Sequence, residues 1–258
     1  MPRYRAEELK SLLDEAVEAY NRPGFIEADP VSVPHRFQKL QDREIAGLLT
    51  ATLAWGQRKT IISKSLDLMA RMDNAPHDFL LRHEGDDLRV VETFIHRTFN
   101  GVDARYFLEF LSWFYRNHGS LEEAFAPGFA AGGARQALSD FHRMFFGLPQ
   151  APVRTRKHMP TPERGAACKR MNMFLRWMVR RDDKGVDFGC WTSISPALLI
   201  CPLDMHVERV ARKLGLLRGR MKGWETGEQL TARLRKFDPQ DPVKYDFALF
   251  GLGVMEKF

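Results

Sequence analysis

Leu203-Asp204-Met205-His206-Val207-Glu208-Arg209-Val210-Ala211-Arg212-Lys213-Leu214-Gly215 is the stretch whose reading decides the fold class. Val207, Val210, Ala211 and Leu214 recur at three- and four-residue steps, which places them on one face of an α-helix. Asp204 stands where an N-cap carboxylate accepts from the first free amides, and Gly215 stands where a left-handed residue ends the helix. The same period extends to both ends of the chain. Leu9, Leu12, Leu13, Ala16, Val17 and Tyr20 predict a helix halted by Asn21-Arg22-Pro23-Gly24. Asp42 is expected to cap a helix through Ile45, Leu48, Leu49, Ala51 and Leu53 that ends near Trp55-Gly56, and Ile61 to Met69 pattern another. Tyr106, Phe107, Phe110, Leu111 and Phe114 mark a buried aromatic helix closed by Asn117-His118-Gly119. Ala134 to Met144, Met171 to Met178, Leu230 with Leu234, and Lys244 to Leu252 complete the set. No sustained apolar–polar alternation occurs, so the expected fold is all-α with strands at most incidental.

The 258 residues carry 39 Lys+Arg against 33 Asp+Glu, a formal charge of +6, and are 44% hydrophobic and 28% charged. That balance is globular and leaves ample apolar material for a core. The longest apolar candidate, Ile194 to Leu203, is broken by Ser195, Pro196 and Pro202, so no membrane span is predicted. Met1-Pro2-Arg3-Tyr4-Arg5 lacks the apolar core of a signal peptide. Cys168, Cys190 and Cys201 are odd in number and unpaired in spacing, which points to a reducing, cytoplasmic setting.

Gly128 to Gly133 and the proline-rich Gly147 to Pro162 read as connections. The second leads into Val153 to Lys184, which holds ten basic residues against three acidic ones, a local +7 that suits a polyanion. A solvated basic face is the alternative for the same composition. Metal chemistry finds no ligand spacing: His206 has no Cys or His two to five residues away, and three cysteines do not make an iron–sulfur site. No phosphate-cradling glycine motif occurs, and Gly251-Leu252-Gly253 is an isolated fragment, so no metal and no cofactor is called for.

Pro202-Leu203-Asp204-Met205-His206-Val207, followed by Arg209-Val210 and Leu214-Gly215, resembles the Asp-bearing segment of the helix-hairpin-helix, Gly/Pro-rich-loop, Asp (HhH-GPD) superfamily of DNA glycosylases. Gly165-Ala166-Ala167-Cys168-Lys169-Arg170-Met171-Asn172-Met173 resembles that superfamily's hairpin running into the helix with its catalytic lysine. Leu175-Arg176-Trp177-Met178, Val186-Asp187-Phe188-Gly189 and Asp241 to Phe247 look like an uncharacterised bacterial family related to it. Within the superfamily the long gap from Lys169 to Asp204 is most similar to archaeal 8-oxoguanine glycosylases. The resemblance implies two interleaved helical lobes in one unit over 1–258. A core lobe over 30–150 would hold a wedge turn, and a lobe over 151–258 the hairpin and catalytic residues. The hairpin is degenerate: Pro160-Thr161-Pro162-Glu163-Arg164-Gly165 stands where a Leu-Pro-Gly-Val-Gly pattern is usual.

What the resemblance implies is excision of a damaged purine such as 8-oxoguanine from double-stranded DNA, with or without strand cleavage by lyase chemistry. A lysine amine attacks the sugar C1′ when neutral, a state that burial or nearby cations such as Arg164 and Arg170 favour. Asp204, ionised at a helix start, would stabilise the positive charge developing on the sugar. Glu44 to Thr60 is similar to the superfamily's wedge-bearing helix, turn and helix. Gln57 would then fill the gap left by an extruded nucleotide, with Arg58 and Lys59 on phosphates. Gly165, Arg164, Arg170 and His206 are the other expected nucleic-acid contacts, and Trp55, Trp177 and Trp191 the expected walls of a base pocket. Every one of these residues also has an ordinary structural use: a cap, a surface cation or a core ring. Two further readings fit the same scaffold: a noncatalytic nucleic-acid-binding protein, or an enzyme acting on RNA or a nucleotide.

Overall fold

A computed structural model describes residues 4–84 and 86–254. Met1-Pro2-Arg3, part of the stretch read as lacking a leader, lies outside the described residues. The described residues are mainly helical, as the hydrophobic period predicts. In chain order the α-helices are α1 (Ala6–Tyr20), α2 (Leu40–Leu53), α3 (Arg58–Ala70), α4 (Pro76–Arg82), α5 (Gly101–Tyr115), α6 (Glu122–Phe145), α7 (Lys169–Val179), α8 (Met205–Lys213), α9 (Trp224–Leu234) and α10 (Tyr245–Val254). Two-residue strands β1 (Ile95–His96) and β2 (Phe99–Asn100) form one antiparallel hairpin. No described helix is long and apolar enough to cross a membrane. The chain divides into two compact units, Ala28–Pro160 and a second built from Met1–Glu27 with Thr161–Phe258.

In the 28–160 unit, α2 is buried on every side from Glu44 to Leu53. Its one buried acid is satisfied, because Glu44 accepts from the Tyr115 hydroxyl (2.9 Å), the Ser120 hydroxyl and the Leu121 amide (3.1 Å). Rings from α5 and α6 interlock beside it: Phe110 and Phe107 lie 4.6 and 4.7 Å from Phe145, and Phe125 lies 4.4 Å from Phe141. These are the aromatic positions whose spacing marked α5.

Two local expectations change. Asp42 does not cap α2, which begins two residues earlier; its carboxylate accepts from the His77 amide at 2.8 Å and ties α2 to α4. Gly128 to Gly133 is not a loop. Gly128 lies inside α6, where a Cβ would come within 2.4 Å of Ala137 Cα, and only Gly132 and Gly133 leave helical geometry. The chain therefore doubles back there and packs the two halves of α6 against each other.

In the other unit α10 packs on both α1 and α8. Gly251 makes the first contact possible, since a Cβ there would fall 2.1 Å from the Tyr20 ring. The Gly251-Leu252-Gly253 fragment is thus a packing device. Tyr245 at the start of α10 donates to Asp14 of α1 at 2.9 Å.

Beneath α7 lies a buried ionic network. Arg176 pairs with Asp187 (3.2 Å) and Asp246, while Arg180 pairs with Asp182 (2.7 Å), Asp187 (3.1 Å) and Asp241 (2.9 Å). The Phe247 ring lies 4.3 and 5.4 Å from the two guanidinium centres. Arg176 and Arg180 are therefore consumed internally, and Lys184 pairs with Glu18 at 2.8 Å. The surface charge of the 153–184 stretch is correspondingly smaller than its composition implies.

Candidate active site

α7 begins abruptly. Gly165 (φ 72°) and Cys168 (φ 49°) are both left-handed, and the Cys168 side chain does not cap the helix amides. Lys169 is the first residue of the helix, half-buried, with its Nζ 3.5 Å from the Met173 sulfur one turn on. Arg170 beside it is also half-buried, and desolvation lowers its pKa from the ordinary arginine value. Burial pushes the Cys168 thiol up to about 12 and the Cys201 thiol well above its usual range, so neither is poised as a thiolate nucleophile.

Asp204 caps α8 as its position predicts. One carboxylate oxygen accepts from the His206 amide at 2.8 Å and the Val207 amide at 3.0 Å. Gly215, with φ 74°, follows the end of the helix.

The carboxyl at which the charges of both Lys169 and Asp204 are felt is Asp246, on α10. It is buried, paired with Arg176, and its carboxyl is pushed up to about 6. Burial is the largest cause. The Arg176 guanidinium opposes it, the Asp204 carboxylate adds to it, and the Lys169 ammonium opposes it. The charges of Lys169 and Asp204, 35 positions apart in sequence, are thus both felt at one buried carboxyl. Sequence reading passed over Asp246, although a signal was present: it is the only charged residue from Tyr245 to Val254 in an otherwise apolar helix.

The remaining expected site residues divide. Trp177 and Trp191 are 0% and 1% exposed, and Trp191 packs edge-on against Phe174 at 5.4 Å. They form core, not an open pocket wall, because the apolar face of α7 buries them. His206 and Arg164 are exposed. Gly165 is exposed as well, but its N–H donates to the Pro162 carbonyl at 2.8 Å and its carbonyl accepts from the Trp224 amide at 3.2 Å. That amide is already used in the turn. Among the described residues no three His, Cys, Asp or Glu side chains are grouped as a metal site.

In the 28–160 unit, Gln57 is the exposed residue preceding α3, and its side chain does not cap the helix. Arg58 is half-buried and Lys59 exposed on the first turn. Trp55 is 53% exposed, with the Arg97 guanidinium 4.5 Å over its ring.

Residues 29–255 match the family model described as "Protein of unknown function (DUF2400)", and the chain belongs to that family. None of the curated proteins and none of the solved structures matches the chain.

Proposed function

We propose that the chain is a DNA base-excision glycosylase of HhH-GPD type, acting on a damaged purine such as 8-oxoguanine in duplex DNA. The observations that carry this reading are Asp204 capping the start of α8 and Lys169 half-buried at the start of α7, with the charges of both felt at the buried Asp246 carboxyl. In the reaction Lys169, having given its ammonium proton to solvent, donates the freed lone pair to the sugar C1′ as the glycosidic bond breaks, and the bond's electron pair leaves with the base, which takes up a proton from solvent. The Asp204 carboxylate, at the start of α8, offsets the positive charge that develops on the sugar. A proton then passes from the C1′-bound nitrogen to the ring oxygen O4′ as the C1′–O4′ bond breaks, leaving a Schiff base, and loss of a C2′ proton expels the 3′-phosphate and cuts the strand. The start of α7, which the Cys168 side chain does not cap, suits a phosphate, with Arg164 and Arg170 close by in sequence. Trp55, Gln57, Arg58 and Lys59 supply the nucleic-acid contacts of the other unit.

The test is borohydride reduction during incubation with duplexes bearing oxidised, deaminated or alkylated bases. The reading expects a covalent protein–DNA adduct that Lys169→Gln abolishes; no adduct with any of these lesions contradicts it. A second reading, a noncatalytic nucleic-acid-binding protein, draws on the Gly165 amide being committed within its turn. It expects salt-sensitive binding that is the same in Lys169→Gln.

A further inference from the structure

Trp55 stands apart from the chain's other tryptophans in how it is held. α2 ends at Leu53, and Trp55 follows on the surface with more than half its area open to solvent. Gly56 then takes φ 114°, a conformation few L-residues adopt, and a Cβ there would sit 2.8 Å from Arg97 Nε. The facing partner is equally constrained: Arg97, at the tip of the β1–β2 hairpin, has φ 56°. Its hairpin is anchored below by Phe99, packed edge-on against Phe94 (6.0 Å) and Phe107 (5.4 Å). His96, next to Arg97 on the same hairpin, is buried, and that burial lowers the pKa of its imidazole. Gly56, free to take a positive φ, and the left-handed Arg97 therefore set one indole against one guanidinium at 4.5 Å, with the tryptophan still 53% exposed.

The charge around this pair has one sign. Residues 54–66 and 93–100 contain Arg58, Lys59, Lys64, Arg97 and no Asp or Glu; Asp67, one turn on, reaches Lys64 at 3.9 Å. A rigid, open aromatic face bordered by cations asks for a partner with a flat π-surface and adjacent negative charge. An uncharged aromatic peptide meets only the first demand. Intact duplex DNA meets only the second, because its base faces are stacked away. An unpaired nucleotide meets both.

The geometry points to Trp55 and Arg97 as a stacking platform for an unpaired nucleobase in single-stranded or locally opened DNA. The base lies on the open indole face, and the edge N–H groups of the stacked guanidinium serve a flanking phosphate. The inference rests on the nucleic-acid part of the proposed function and not on excision.

The test uses the full chain with a fluorescein-labelled oligothymidylate, and with the same strand carrying abasic units in place of its bases. The wild type is expected to prefer the base-bearing strand. Trp55→Ala should weaken that strand about ten-fold and leave the abasic strand unchanged, while Trp55→Phe recovers part of the loss. Arg97→Gln should weaken both strands and reduce the slope of log affinity against log salt by about 0.7. Equal wild-type affinity for the two strands, or no effect of Trp55→Ala, overturns the platform. Equally tight binding of a polyglutamate peptide overturns it in favour of an acidic-protein surface. Absence of all nucleic-acid binding removes both the platform and the glycosylase reading; base-dependent binding without any lysine adduct keeps the platform and removes excision alone.

Discussion

Asp246→Asn removes the most perturbed buried carboxyl of the candidate site and should make stability less sensitive to pH. The folded chain holds the Asp246 proton up to about pH 6, whereas an unfolded aspartate releases it near 3.8. Between those values the native state binds the extra proton, so stability falls as pH rises through the window and is level above it. At about 1.4 kcal/mol per pH unit, the gap amounts to about 3 kcal/mol. His77 and His96 run the other way, because burial lowers their pKa and stability rises with pH as their unfolded counterparts lose protons. Both lie in the 28–160 unit and are common to wild type and variant, so they cancel in a difference. Urea unfolding followed by tryptophan fluorescence is the assay, with the buried Trp177, Trp191 and Trp224 reporting on the unit that contains Asp246. The variant's stability relative to wild type should rise by about 2 kcal/mol from pH 4 to pH 7, with an unchanged urea slope. A relative stability that is flat across that range refutes the account of Asp246.

Two further substitutions separate structure from chemistry. Asp204→Ala loses the bonds to the His206 and Val207 amides and should reduce stability by about 1 kcal/mol in urea, whereas Asp204→Asn keeps an accepting oxygen and most of that stability. Under the proposed function both variants lose excision of lesion-bearing duplexes, so Asp204→Asn isolates the charge. Arg176→Met leaves Asp246 without its guanidinium partner in the interior, while Asp187 keeps Arg180, and should destabilise by about 3 kcal/mol, measured by the same unfolding. Adding Asp246→Asn to Arg176→Met should recover part of the loss.

The helical architecture was legible because three- and four-residue apolar spacing persists through α1, α5, α7 and α8. Asp204 at the start of α8 and Gly215 after its end were legible for the same local reason: caps and stops are set by a few neighbouring backbone groups. Facts set by distant parts of the chain were not. Arg176 and Arg180 read as surface charge in a basic stretch, because their partners Asp187, Asp241 and Asp246 lie up to 70 positions away. Trp177 and Trp191 read as pocket rings because sequence does not reveal that α7 is covered on every side from Met171 to Val179. Gly128 read as a loop glycine, since nothing nearby in sequence announces Ala137 against it. Asp246 carried a local signal, a lone acid in an apolar helix, but its link to Lys169 and Asp204 exists only in three dimensions.

The central claim is that Lys169 and Asp204 serve one reaction at a deoxyribose carbon. Peptide mapping by mass spectrometry after borohydride trapping with an 8-oxoguanine duplex tests it most directly. The account predicts a deoxyribose remnant on the peptide containing Lys169, sharply reduced in Asp204→Asn. A remnant on another lysine, or one on Lys169 that Asp204→Asn leaves undiminished, contradicts it.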